Sequence, residues 1–305
     1  MVYSRHAMPE LVTITECPRD AFQGLGKFIP TEEKISYLND LIRAGARRID
    51  FGSFVSPKAV PQMADTSQVF ENMDKTNDLY LIAIIGNERG LEGVFSCNGK
   101  MKGRGYINCV GYPLSVSETF QQRNLGRSIE ESRNEFAMIA RRAHERNIDV
   151  ICYLSMAFGN PYGDAYSPQT VVEFAHWLAD MGVKTVSLAD TIGNATPELI
   201  AELFTLCHDS CPGVTFTAHF HSTPDSFAQK IDAALDSGCR LLDSALGGVG
   251  GCPFAADKLT GNVNTMLLLE HLERRGFQAN LDRKRLVPVA ARAAKMAQLY
   301  SRPAE

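Results

Sequence analysis

Apolar residues along this chain fall into two alternating patterns. Short apolar runs take turns with longer stretches in which apolar positions recur every third or fourth residue. "LVTITE" (11–16) reads as a strand. "TEEKISYLNDLIRAG" (31–45) reads as a helix, with a threonine cap, glutamates in the first turn, an apolar stripe and a closing glycine. "RRIDFG" (47–52) is a second strand, and a helix is expected over 62–73, after Pro61. "LYLIAIIG" (79–86) is apolar without a break, as a strand buried on both faces must be. A short helix follows over 89–98 and a strand over 105–111. An amphipathic helix (128–147) starts at Ser128 and leads to a strand over 148–156. A Ser-Pro start and a closing glycine bound a helix over 167–182, and a strand covers 183–190. A Thr-Pro start opens the helix over 196–210. A strand (214–221), a helix (225–238), a strand (239–245) and a helix (262–276) complete the series.

Eight strand–helix pairs in sequence imply a parallel sheet closed into a (β/α)8 TIM barrel. The competing doubly wound sheet is disfavoured because no G-x-G-x-x-G follows the first strand. No linker or low-complexity stretch marks a second domain. The expectation is one catalytic domain over 1–305, with the barrel over about 11–276 and a C-terminal helical extension over about 277–305.

Composition narrows the function. The 305 residues are 45% hydrophobic and 22% charged, as in ordinary globular proteins, and the formal charge is −4. That balance offers no basic footprint for nucleic acid and no polybasic patch for a membrane surface. No apolar run approaches the roughly 18 residues of a membrane span. The N-terminus, "MVYSRHAMPELVTITE", has no signal-peptide pattern. The eight cysteines include no CxxC pair and are expected to be reduced thiols of a cytoplasmic protein. Cys207 and Cys211 are expected to pack near a helix end.

In a barrel, chemistry collects at the C-terminal ends of the strands. Arg19 and Asp20 follow the first strand, Asp50 ends the second and Asp190 the sixth. "HFH" ends the seventh, and "GGVGGCPFA" follows the eighth. His219 and His221 are two apart on a strand and so face the same side, a natural pair of metal ligands. The alternative is one core histidine and one rim histidine. Asp20, as a hard oxygen donor nearby, moves the balance toward a metal, and a His/Asp set suits Mg2+, Mn2+ or Co2+ better than a structural zinc. His144, His176, His208 and His271 lie on helices, where packing roles dominate, and His6 precedes the first strand. Asp190 has two readings, as a cap for the helix starting near Pro197 or as a contact to substrate or metal. Asp20 could likewise cap a loop and Arg19 pair at the surface. At a barrel mouth, Arg19 is also placed to stabilise a developing oxyanion.

"TECPRDAFQ", "IDFGSFVSPKAVPQMAD", "SIEES", "LADTIGNATP", "AHFHSTPD" and "GGVGGCPFA…GN" together resemble 3-hydroxy-3-methylglutaryl-CoA (HMG-CoA) lyase, in the same order and from about residue 11 to 275. The resemblance implies a divalent metal, Mg2+ or Mn2+, held by Asp20, His219, His221 and Asn262. It implies that Arg19 stabilises an enolate oxygen, that His219 carries a proton, and that Cys252 on a mobile glycine loop carries a second. Gln23 and Asp190, and at the fourth strand end Ser117, Glu118 and Asn124, match positions that line the family's site. The implied partner is an acyl-CoA substrate, cleaved to acetyl-CoA, and the implied assembly is a homodimer. The implied acid–base set also includes Asp50, which stands where the family has glutamate.

Three departures stand out. The family's G-P-R-D-G-L-Q is here Cys17-Pro18-Arg19-Asp20-Ala21-Phe22-Gln23. Asp50 for glutamate withdraws the carboxylate by roughly 1 to 1.5 Å, given bond lengths of about 1.5 Å. The segment from Cys252 to Asn262 is one residue longer than the family's. These changes raise the alternative of a related 3-hydroxyacyl-CoA such as citramalyl-CoA, with Arg19, Asp20, both histidines and Cys252 retained. A Claisen-type condensing synthase, against which the "GGCP" loop argues, and a barrel kept only for binding are separate alternatives.

Overall fold

The computed structural model describes residues 9–101, 105–250 and 260–301. Eight parallel strands pair in chain order: β1 (Leu11–Glu16), β2 (Arg48–Ser53), β3 (Tyr80–Ile84), β4 (Ile107–Ser115), β5 (Asp149–Ser155), β6 (Thr185–Asp190), β7 (Thr215–Phe220) and β8 (Leu241–Ser244). β1 pairs with β8 on one side and β2 on the other, so the sheet closes. A two-residue strand, β9 (Gln278–Ala279), runs beside the start of β1.

The outer ring comprises α2 (Thr31–Ala44), α3 (Thr66–Asn72), α4 (Glu88–Lys100), α6 (Ile129–His144), α7 (Pro168–Asp180), α8 (Pro197–Ser210), α9 (Phe227–Asp236) and α10 (Thr265–Arg275). Two short helices sit at the mouth, α1 (Pro18–Gln23) after β1 and α5 (Glu118–Leu125) after β4. The period-two alternation sorts the β3 run onto two faces. Leu81 and Ala83 join the main core under the helices, whereas Ile82 and Ile84 pack inside the barrel with Cys109, Ile151 and Tyr153. The extension forms α11 (Arg283–Tyr300), which buries Leu286, Val289, Ala293 and Met296. It is fixed to α2 by Arg292 on Ser36 and Asp40.

Several local expectations change. Pro30, not Thr31, is the N-cap of α2, and Thr31 instead donates to Asp65 Oδ2 at 2.8 Å. The stretch after Pro61 splits into a 3-10 turn (Pro61–Met63) and α3. β4 continues past Gly111 and Pro113 to Ser115. The helix expected over 262–276 starts only at Thr265, because residues 262 to 264 are still paired with the ends of β7 and β8. The caps at Ser128, Ser167 and Thr196 form as expected, the first as a full capping box with Glu131. Cys211 caps α8 and meets His176 Nδ1 at 3.5 Å, and both Cys207 and Cys211 are buried. His271 pairs with Asp232 and His208 with the Ser237 carbonyl, in packing roles. His6 lies outside the described residues.

Candidate metal centre and active site

α1 begins one residue beyond β1, with Pro18 setting its first turn. Helical spacing then brings Arg19, Asp20 and Gln23 together over the mouth. Arg19 Nη1 donates to Asp20 Oδ1 at 2.8 Å and to Gln23 Oε1 at 3.2 Å, and Gln23 Nε2 donates to Asp20 Oδ1 at 2.9 Å. The other side of the guanidinium grips Asp50 at the end of β2, through Nε at 3.0 Å and Nη2 at 2.5 Å.

His219 on β7 and His221 just past it put their rings 5.2 Å apart. One ligand atom from each of Asp20, His219 and His221 lies within 4.8 Å of the others. His221 Nδ1 is buried and has no hydrogen-bond partner among the described residues. A buried imidazole nitrogen without a partner, on a ring grouped with a carboxylate and a second imidazole, fits the donor set of a divalent-cation site. Asn262 joins this group by an antiparallel bridge to His221, and its Nδ2 donates to Asp20 Oδ2 at 2.7 Å. Turning that amide over would present Oδ1 at the same place.

The charges follow from the packing. Burial alone raises the Asp20 pKa, but Arg19, the two histidines and the Asn262 hydrogen bond outweigh it and hold the carboxyl well below its usual range. Burial pushes Asp50 up to about 6 against the opposing pull of Arg19. Burial works to lower His219, but the hydrogen bond and charge of Asp243 raise it above the ordinary imidazole value. His221 is pushed down to about 4, by burial and then by His219 beside it, so its ring is neutral, as a ligand must be.

The glycine segment after β8 serves close packing. Gly248 and Gly250 have φ of +63° and +110°, a region that side chains resist. A Cβ on Gly250 would lie 2.4 Å from Asn262 Nδ2, and one on Gly261 would lie 2.0 Å from the Gly248 carbonyl oxygen. The two legs of the segment therefore cross in contact, directly over Asp20 and Asn262. Cys252 lies outside the described residues, as does most of the longer stretch between it and Asn262.

A cavity of about 220 Å3 opens at this mouth, lined by Arg19, Asp20, Gln23, His219, His221 and Asn124 among others. Asp50 stands behind Arg19 and does not line it. Three expected residues are turned elsewhere. Ser117 caps α5 and donates to Asp164 at 2.5 Å, and Glu118 accepts the Ile129 N–H. Asp190 takes the structural option: Lys230 Nζ donates to its Oδ2 at 2.5 Å, and the Ala195 N–H, just before α8, donates to Oδ1 at 3.1 Å. Its neighbours Ala189 and Thr191 line the cavity instead.

Other wall residues went unanticipated: Ser53, Asn87, Arg127, Tyr153 and Ser155. So did Asp243 of β8, which meets His219 Nδ1 at 3.0 Å and leaves Nε2 as the free ring atom. Carboxylate partners of this kind fix a histidine's tautomer and orientation.

A carboxylate and two imidazoles beside an arginine, at the C-terminal mouth of a closed (β/α)8 barrel, define a TIM-barrel enzyme with a candidate divalent-cation site. The chain belongs to the HMGL-like family, whose model matches residues 11–292, and it is a carbon–carbon lyase. It is 32% identical over 275 residues to the hydroxymethylglutaryl-CoA lyase of Pseudomonas mevalonii, covering 90% of this chain and 88% of that one. The mitochondrial hydroxymethylglutaryl-CoA lyase of Mus musculus is 34% identical, with 93% and 85% covered. Among solved structures, the HMG-CoA lyase of Brucella melitensis superposes with a TM-score of 0.87 at 31% identity, covering 95% of this chain and 99% of that one. An HMG-CoA lyase from A. baumannii, in complex with coenzyme A and 3-methylmalate, gives 0.86 at 28% identity, with 97% and 93% covered.

Proposed function

We propose that this protein is a divalent-metal-dependent lyase that cleaves HMG-CoA to acetoacetate and acetyl-CoA. The observation that carries the reading is the convergence of Asp20, His219 and the unpartnered His221 Nδ1 with Arg19 on one cavity. Asp20, His219, His221 and Asn262 are the residues that would hold Mg2+ or Mn2+. When bound, such an ion lowers the pKa of a hydroxyl chelated to it and polarises a neighbouring acyl oxygen.

The chain's own groups supply the rest. Arg19 is clamped on both flanks by Asp50 and Asp20, so its positive charge is fixed before substrate arrives and can stabilise a forming enolate oxygen without reorganising. Asp50 thereby acts through Arg19, and the shorter side chain still reaches the guanidinium with two prongs. His219 Nδ1 is engaged by Asp243, so Nε2 serves either ligation or proton transfer at any one time. The second proton carrier is assigned to Cys252, with Gln23 and Asn124 as substrate contacts in the wall. At about 220 Å3 the cavity is smaller than the roughly 300–1,000 Å3 that encloses a drug-sized ligand, which suits the acyl end of a CoA ester and leaves its nucleotide outside.

The named relatives favour HMG-CoA over citramalyl-CoA and over condensation. The chain is read as one catalytic domain working as a homodimer in the cytoplasm. No helix among the described residues is long and apolar enough to cross a membrane. A panel of HMG-CoA, citramalyl-CoA, and acetyl-CoA with a 2-oxo acid tests the reading. Turnover of HMG-CoA above the others supports it, and exclusive activity on either alternative overturns it.

A further inference from the structure

Glu16 ends β1 and shares a face with Val12 and Ile14, in the layer between barrel and helices. Its side chain is 1% exposed, an unusual place for a carboxylate. It accepts the Leu246 N–H at 2.7 Å and the Thr265 hydroxyl at 2.5 Å. Leu246 opens the glycine segment after β8, and Thr265 opens α10 on the returning side. Between these two feet the backbones pair, the Ala245 N–H with the Val263 carbonyl at 3.0 Å and the Thr265 N–H with the Ala245 carbonyl at 3.3 Å. One residue before Val263 is Asn262, whose amide meets Asp20 Oδ2. Glu16 and Asp20 are four residues apart in one continuous stretch. That stretch holds the returning segment at two points, Asp20 at Asn262 and Glu16 at the feet.

We propose that Glu16 is a positioning residue for the metal site: by clamping Leu246 and Thr265 it sets where Asn262 stands against Asp20, and so how tightly the site holds a divalent cation. The inference rests on the reading of Asp20, His219, His221 and Asn262 as ligands. An apolar residue at 16 would leave the buried Leu246 N–H without its acceptor and the Thr265 hydroxyl with only Ser244 Oγ, 2.8 Å away, so the two feet would no longer be tied to each other through one carboxylate.

The test is Mn2+ binding, followed by electron paramagnetic resonance on full-length, chelator-stripped protein. Glu16→Ala should weaken binding about tenfold, as loss of residues supporting a ligand shell does. Thr265→Val should weaken it by a smaller factor. Glu16→Gln, which keeps an acceptor oxygen, should recover most of the affinity. If Glu16→Ala does not fold, Thr265→Val carries the test. A merely structural Glu16 would lower the melting temperature and leave Mn2+ affinity untouched, and folded variants that bind as wild type does overturn the inference alone. Wild-type protein that binds no Mn2+ overturns the ligand reading and the inference with it.

Discussion

A methyl group added at Gly250 would sit 2.4 Å from Asn262 Nδ2, 2.9 Å from the Asp20 carbonyl oxygen and 3.1 Å from Ala21 Cα. An ordinary carbon–nitrogen contact needs roughly 3.5 Å, so the groups must part by about 1 Å. Ala21 and the Asp20 carbonyl belong to α1 and the adjoining barrel end, so Asn262 or residue 250 itself must give way. The alanine also carries the φ of +110°, which costs about 1–2 kcal/mol by itself. A misplacement near 1 Å beside reacting groups can cost about a hundredfold in rate. Gly276→Ala is the control. Its φ is +79°, and an added Cβ meets nothing within 4 Å, so it bears backbone strain without a collision. The assay is steady-state cleavage of HMG-CoA with saturating Mg2+, paired with thermal melts. Both variants should lose stability, Gly250→Ala more because it adds the collision to the strain, and only Gly250→Ala should lose roughly a hundredfold in kcat/KM. Equal activity in the two variants would refute the packing role of the glycine segment.

Asp243→Asn keeps an acceptor for His219 Nδ1 but removes its charge. Mn2+ affinity measured calorimetrically should fall by about 10- to 100-fold, and unchanged affinity would rule out the orienting role. Lys230→Met strands the buried Asp190 carboxylate and should cost about 3–5 kcal/mol in urea denaturation. A loss under about 1 kcal/mol would mean that Asp190 finds another partner. Burial pushes the Glu16 carboxyl up to about 7 in the fold, from its ordinary value of 4.5, against the opposing hydrogen bonds from Thr265 and Leu246. Its contribution is fully present below about pH 4.5 and is lost as pH rises through 7. Glu16→Gln should therefore flatten the decline in stability between those values by up to about 3 kcal/mol, and parallel wild-type and variant curves would contradict it.

Four polar residues near the barrel mouth can be located from the sequence by their place at or just past a strand end. Asp20, Asp50, His219 and His221 could be located because the strand boundaries could be. The pair His219–His221 needed only the period of a strand. Asp243 was hidden because its relation to His219 depends on the pairing of β7 with β8, where Ala218 stands opposite Leu242. No local pattern encodes that pairing. Tyr153 was absorbed into an apolar strand, since the inside of a barrel is itself a core. The two readings of Asp190 stay open in the sequence for want of its partner, although a signal exists. Lys230 falls on the buried stripe of α9 with Phe227, Ile231 and Ala234, where a lysine needs a counter-charge. Ser117 enters as a mouth residue only through the family resemblance, and the short helix it caps in the structure has no separate signal in the element pattern. The glycines of "GGVGGCPFA" read as freedom of movement. For Gly250 the structure shows a closer constraint, a backbone pressed against Asn262 with no room for a side chain.

Metal-dependent cleavage at Asp20, His219 and His221 is tested most directly by removing the ion and restoring it. Chelator-stripped protein is mixed with HMG-CoA, with and without Mg2+ or Mn2+, and the products are quantified by mass spectrometry alongside Asp20→Ala. The expected result is acetoacetate and acetyl-CoA in equal amounts from the reloaded wild type, with neither from the stripped protein nor from Asp20→Ala. Undiminished cleavage without a divalent ion, or by Asp20→Ala, would contradict it.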